Sequence, residues 1–464
     1  MFASTHPSLL CDHLRVPYSV SDVDAPTGCG ALLLPSGRGL FWRRGTLEPA
    51  EHRVDSTRFF APVCTDEETG RLLGDGWARQ RAVLGADDAS AGSIWRRDDG
   101  SLFLPFDPDE AVLAFWSEGY AAVTAGSGRR ALKRLAMRTY YGVRPVMPRA
   151  VQIALRRRFA KVQARTPFPR WPFEPALDDL LRFLLECLAE AAGEPVPWVQ
   201  AWPDGRSWAL VLTHDVETAT GYAALDKLRD VEKALGYRSS WNFVPRRYDV
   251  AAARVRELWA DGFEVGVHGL YHDGRDLESL ETLERRLPEI RDYAERWDSV
   301  GFRSPATHRR WEWMPLLGFD YDSSYPDTDP FEPQAGGCCS LVPFFNDALV
   351  ELPITLPQDH TLFVILRDTD ERRWTEKTDL LRERGGMALL NTHPDYMLAP
   401  DEVALYERYL KTYVDDASMW HALPRDVSAW WRDRAGTSPS RSGGGWELTG
   451  PGAERARLAF AEPG

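Results

Sequence analysis

Two clusters of ionisable residues close short apolar runs in this chain. The first is Thr213-His214-Asp215-Val216-Glu217; the second, about fifty residues on, is His268-Gly269-Leu270-Tyr271-His272. A neutral imidazole binds a borderline cation such as zinc at about 2.0–2.1 Å, and carboxylates complete such sites. Histidines at i and i+4 meet on one side of a helical turn, as in other histidine-pair metal sites. That spacing alone is common in loops that hold nothing. Here it is joined by an upstream acidic cluster and by a third histidine in Leu390-Asn391-Thr392-His393-Pro394, also just past an apolar run. A divalent cation beside a spare carboxylate acidifies water and polarises a carbonyl, which is hydrolase chemistry.

The elements that must position these residues can be read from the apolar pattern. From Ser207 onward, strand candidates are 208–213, 239–244, 263–267, 299–303, 320–323, 350–354, 387–391 and 418–422. Helical patterns at 222–235, 250–261, 280–297, 379–384 and 400–414 lie between them. Strands buried on both faces that alternate with helices imply βα units and a parallel sheet. The expected fold class is α/β: a distorted (β/α) barrel of seven or eight parallel strands over 205–435, with an N-terminal mixed α+β domain. The motifs fall at the carboxyl ends of strands, where such barrels keep their chemistry.

At 464 residues the chain needs two or three cores. Residues 1–120 read as the mixed domain, with strand-like pieces at 31–34 and 101–104, and 121–204 as a basic helical connector. Residues 129–165 carry twelve Lys or Arg and no acid, so a basic helix at 150–164 is expected. It reads as a solvated or docked face, or as a weak contact with anionic lipid or a polyanionic carrier. Residues 436–464 read as a flexible Ser/Gly/Pro linker followed by a hairpin of 446–449 with 457–461. The net charge of -13 argues against a general nucleic-acid binder. The six cysteines lack metal or disulfide spacing. No secretory leader or membrane span is recognisable, so a cytoplasmic protein with an intracellular substrate is expected.

Residues 205–430 resemble the polysaccharide deacetylases, the carbohydrate esterase family that includes chitin and peptidoglycan deacetylases. That family's first motif, T-F-D-D, is matched by Thr213-His214-Asp215-Val216-Glu217, and its H-x-x-x-H by His268 and His272. Its R-x-P is matched by Arg303-Ser304-Pro305, its loose fourth motif by one of Asp320, Asp322, Asp327 and Asp329, and its fifth, L-x-H, by Leu390 to His393 with the leucine one place further off. The resemblance implies a divalent cation, zinc first and cobalt, nickel or manganese as alternatives. It implies Asp215 as general base, Arg303 paired with Asp215, and His393 as general acid oriented by Asp322 or Asp329. It also implies a substrate site beside Pro305.

One departure stands out. Where the family places its metal-binding Asp, this chain has Val216, which cannot ligate. Alternate residues of a strand share a face, so Asp215 and Glu217 point the same way and Asp-Val-Glu becomes a respaced Asp-Asp. The ligand set is then Glu217, Asp215, His268 and His272, with the division of base and ligand between the two acids left open. His214 faces away. Tyr325 could stack on a sugar, Asp273 could support a histidine or cap a helix, and Gln358-Asp359-His360 could line the pocket. The expected activity is removal of an N-acyl group, acetyl first, from an amino sugar or a carrier-linked sugar. The alternatives are a same-fold hydrolase of a linear or cyclic non-sugar amide, and an inactive glycan- or protein-binding module.

Overall fold

The computed structural model describes residues 8–20, 25, 26, 28–44, 48–124, 157, 158, 160, 162, 163 and 165–464. The basic segment 129–165, with its expected surface helix, lies almost wholly outside them. The chain divides into two compact units, one made of 1–140, 175–200 and 433–464, the other of 141–174 and 201–432.

After a short helix (Leu9–Leu14) the first unit carries seven strands: β1 (Cys29–Leu33), β2 (Gly39–Arg43), β3 (Ala50–Val54), β4 (Thr57–Ala61), β5 (Trp77–Gly85), β6 (Ser90–Arg97) and β7 (Leu102–Leu104), with a helix Asp66–Leu73 between β4 and β5. They form one sheet in the order β1-β2-β7-β6-β5-β3-β4. The helix Pro108–Trp116 starts at Asp107, whose carboxylate caps two backbone amides. The helix Ala176–Ala192 buries Leu177, Leu180, Leu181, Leu184 and Leu188 at three- and four-residue spacing, and each contributes about 1.5–3 kcal/mol on burial. It ends at Gly193 in the left-handed region. After it comes β8 (Val196–Val199).

The second unit contains β9 (Trp208–Val216), β10 (Ser240–Phe243), β11 (Glu264–His268), β12 (Gly301–Arg303), β13 (Tyr321–Asp322), β14 (Phe344–Asn346), β15 (Leu349–Glu351), β16 (Met387–Thr392) and β17 (Met419–His421). Their order is β14-β15-β13-β12-β11-β10-β9-β16, with β17 also on β9. Every pairing is parallel except β14 with β15. Each of the eight expected strands is present, and β9 is buried along its whole length, which explains its unalternating apolar run. Among the described residues the strand ladder does not close. The segment after β15 reaches β16 through the Leu356 amide, which donates to Leu389 at 3.0 Å.

The intervening helices follow ordinary rules. Leu280–Trp297 is capped by Ser279, buries Leu283, Leu287, Ile290, Ala294 and Trp297, and stops at Asp298 in the left-handed region. Below the strand ends, Ala209, Val211, Tyr321, Val350, Leu352, Met387 and Leu389 share one apolar cluster. The register sets the motifs side by side: Asp215 lies opposite Asn242, His268 opposite Arg303, and Thr392 opposite His214.

The C-terminus differs from expectation. Ser438–Ser442 (β18) and Gly445–Thr449 (β19) form the hairpin around Gly443-Gly444, while Leu458–Ala461 (β20) pairs with β8. Both turn glycines have positive φ, which a two-residue hairpin requires. The stretch expected as a linker is therefore partly a strand, and residues 457–461 have another partner.

Candidate functional site

Strand alternation separates the first motif. Thr213, Asp215 and Glu217 share one face, while Val216 is fully buried on the other. His214 also faces the core. Its Nδ1 meets Thr392 Oγ1 at 2.8 Å, its Nε2 meets Glu232 at 2.7 Å, and its ring stacks on Trp241. It is a satisfied core residue.

His268 ends β11 with its Nδ1 at 3.1 Å from the Arg303 carbonyl. That contact assigns the proton to Nδ1 and leaves Nε2 as a lone-pair donor. Burial pushes its pKa down to about 4, against the pull of Asp215, so the ring is neutral at pH 7. The route from His268 to His272 is an irregular loop rather than the expected helical turn, with Gly269 at φ +60 and His272 at φ 56. A Cβ on Gly269 would lie 2.4 Å from Asp276 and 2.6 Å from Pro305, so only glycine lets the loop turn here. The two rings end 5.0 Å apart.

One ligand atom each from Glu217, His268 and His272 lie within 4.8 Å of one another. His272 Nε2 is buried and lies 3.1 Å from Glu217 Oε1, off the line of a well-aligned hydrogen bond and with no other polar partner among the described residues. The pair is close without being aligned, as two groups directed at a third would be. Two imidazoles and a carboxylate, one imidazole nitrogen turned to the carboxylate without good alignment and the other held with its lone pair outward, fit a borderline divalent cation. Burial pushes Glu217 up, but His272, His393 and His268 outweigh it and hold the carboxyl well below its ordinary value. It is an anion throughout the neutral range.

Asp215 is held differently. Asn242 Nδ2 donates to Oδ1 and Asn391 Nδ2 to Oδ2, both at 2.8 Å. Arg303 Nη1 lies 3.4 Å from Oδ1. Arg303 is itself fixed by bonds to Thr213 Oγ1 at 2.9 Å, Ser323 O at 2.8 Å and Ser323 Oγ at 2.8 Å. Burial raises the Asp215 pKa, but Arg303 first, then His268 and His393, outweigh it and keep it ionised. Its Oδ2 is 3.9 Å from both His268 Nε2 and His393 Nε2.

His393 lies just beyond β16, 4 % exposed. Its Nδ1 is 2.7 Å from Asp359 Oδ1, and its amide donates to Asp359 Oδ2 at 2.7 Å. Burial opposes its charge, but Asp359 overcomes burial, helped by Glu217 and Asp215, and the pKa rises to about 10. The Nε2 that faces Asp215 and Glu217 therefore carries a proton at neutral pH.

The orienting carboxylate is thus Asp359 and not Asp322, which the motif order had suggested. Asp322 accepts from Ser324 Oγ at 2.7 Å and shares the Ser324 amide with Glu351. Burial raises both of these carboxyls, and Asp322 raises Glu351 further, so they form a buried pair of their own. The other candidate, Asp329, accepts from the Phe331 amide. Asp273 pairs with Arg286 at 2.7 Å. Pro305 and Tyr325, expected at the substrate, are both buried: Pro305 packs under Gly269, and Tyr325 packs against Phe344 beneath Arg309. Neither presents a face to a sugar. Asn242, Asn391 and Tyr396 join the site without being expected there from residue type. Asn391 lies inside the motif that ends in His393, whereas Asn242 comes to Asp215 only through the pairing of β10 with β9.

No protein-family model matches this chain, and no curated protein does. Solved structures do resemble part of it. A Mycobacterium smegmatis protein assigned as a polysaccharide deacetylase is 19% identical, with a TM-score of 0.42, covering 52% of this chain and 96% of its own. An allantoinase is 16% identical, with a TM-score of 0.42, covering 50% and 92%. A family 4 carbohydrate esterase from Streptomyces lividans is 13% identical, with a TM-score of 0.28, covering 47% and 93%. At these scores the neighbours carry no functional inference, and the side chains of this molecule must supply it.

Proposed function

We propose that this protein is a divalent-cation-dependent amide hydrolase that removes an N-acyl group, acetyl first, from an amino sugar or carrier-linked sugar. The reading rests on one observation. Glu217, His268 and His272 converge within 4.8 Å, while an ionised Asp215 and a protonated His393 stand beside them 3.9 Å apart. Acids and bases held in opposite protonation states at neutral pH are what general acid–base hydrolysis requires. The amino-sugar assignment rests on the motif resemblance.

Glu217, His268 and His272 would hold the cation, which when bound supplies Lewis-acid polarisation of an amide carbonyl and an acidified water. Asp215 is the base. Its two amide donors and Arg303 fix the carboxylate with Oδ2 toward the histidines, ready to accept a proton from attacking water. His393 is the acid. Its Nε2 proton is available to the leaving amine, and Asp359 stabilises the imidazolium before transfer. This assigns the two acids of Asp-Val-Glu separate tasks, Glu217 as ligand and Asp215 as base.

Metal analysis combined with acetate release from N-acetylated sugars tests the reading. Bound cation with acetate release supports it. Bound cation with turnover of non-sugar amides alone would move the assignment to the broader amide hydrolases. Protein that binds no cation and releases no acetate would leave it without support.

A further inference from the structure

The ligand carboxylate of this site sits beyond the end of its strand on a long, rotatable side chain, so something outside β9 must fix it. The turn after His393 does so. The Tyr396 and Met397 amides donate to the His393 carbonyl at 2.9 and 3.1 Å, which sets the turn. Asp395 Oδ2 accepts from the Glu217 amide at 2.9 Å, and Asp395 Oδ1 accepts from Thr218 Oγ1. The Tyr396 hydroxyl donates to Glu217 Oε2 at 3.2 Å. The Tyr396 ring is itself lodged between His360 and His393, with centroids 4.8 and 5.3 Å away.

We propose that Tyr396 is a positioning residue for the cation: its phenol engages Oε2 of Glu217 so that Oε1 alone is presented to His268 and His272. Both oxygens of the carboxylate are then accounted for. Oε1 lies 3.1 Å from His272 Nε2 and 4.0 Å from His393 Nε2, while Oε2 is turned away toward the tyrosine. Outer partners of this kind orient a ligand, and their loss commonly weakens metal affinity 10- to 100-fold, as an order of magnitude. The same turn carries the acid His393 and the support for Glu217, so one short segment places two groups of the site. The inference rests on the reading of Glu217 as ligand.

The test is zinc affinity, measured by competition with a chromophoric chelator, for wild type, Tyr396→Phe, Glu217→Gln and the double variant. Tyr396→Phe keeps the ring in its place between the two histidines and removes the hydroxyl alone. Its zinc Kd is expected to rise about 10- to 100-fold. In the Glu217→Gln background the same change is expected to add little, because the phenol then has no ligand to orient. Wild-type zinc binding with an unchanged Kd in Tyr396→Phe overturns this inference alone, and so do two effects that multiply fully. A wild-type protein that takes up no zinc sinks both this inference and the metal reading.

Discussion

Replacing Asp359 by Asn isolates the group that keeps His393 charged. The substitution retains the side chain's shape and removes its negative charge, 2.7 Å from Nδ1. His393 is raised from its ordinary 6.5 to about 10, which corresponds to about 5 kcal/mol in favour of the imidazolium. Burial alone would push the pKa the other way, and Asp359 is the foremost group opposing it. An opposite charge at this range is worth about one to three pH units, so the His393 pKa in Asp359→Asn should fall to about 7–9. Histidine-labelled, cation-free protein reports this directly through the Cε1–H resonance, assigned by its loss in His393→Gln. Stability gives a second readout. Because the folded pKa lies above the unfolded one, the imidazolium's contribution is complete below about pH 6.5 and is lost as pH rises through about 10. Wild type should therefore lose stability on the alkaline side more steeply than Asp359→Asn. Because His393 then stays at least half protonated at neutral pH, turnover there should fall by less than the about 10²–10⁴ that a positioned acid contributes. A His393 resonance that titrates alike in both proteins would refute the assignment of Asp359 as its partner.

Further expectations concern the other groups. His268→Ala or His272→Ala should lose bound cation and activity together, and a variant that retains a full equivalent of metal contradicts the ligand assignment. Asp215→Asn should keep the cation, because Glu217 and the two histidines remain, yet lose turnover by about 10²–10⁴; an active variant removes its role as base. Glu264 is raised to about 7 by burial, against the bonds from Tyr321 and the Arg425 amide. Its folded pKa exceeds the ordinary 4.5, so its contribution is complete below about pH 4.5 and is lost as pH rises through about 7, by about 3 kcal/mol. In Glu264→Gln, unfolding midpoints measured between about pH 5 and pH 8 should lose that part of the slope, and equal slopes would show the carboxyl is not the cause.

The strands of the second unit were legible because both their faces are covered. Apolar runs such as Ala209–Leu212 admit little besides a buried strand when helical patterns flank them. Phe344–Asn346 was not legible, because its three residues lead straight into Asp347 at φ 57 and are too few for alternation to register. The pairing of β20 with β8 could not be read either. Two short C-terminal strands look like each other's partners until a Gly-Gly turn supplies a nearer one, and the contact with β8 spans most of the chain. The leucine stripe of Ala176–Ala192 is present in the sequence, but it follows closely on the basic run of 129–165, whose charge dominates the composition there.

Within the site, the residues that signalled themselves were those whose type is rare at a strand end: His268, His272, His393, Asp215 and Glu217. Asp359 lies at the start of the π-helical turn His360–Leu366, and no motif order indicates which acid such a turn delivers to His393. Asp322 does not reach His393 because β13 is only two residues long and its buried carboxyl pairs with Glu351.

The respaced Asp-Val-Glu then makes geometric sense. Residues two apart in a strand lie about 6.6–6.8 Å apart on one face, whereas adjacent residues point to opposite faces unless the chain bends. An Asp-Asp pair must leave strand geometry at once if both are to serve one site. Here Asp215 stays inside β9, where neighbouring strands can hold it with Asn242 and Asn391. Glu217 sits just past the strand end, where Asp395 and Tyr396 hold it. Two carboxylates separated by one strand repeat can be fixed by different neighbours, and a base and a ligand need that independence.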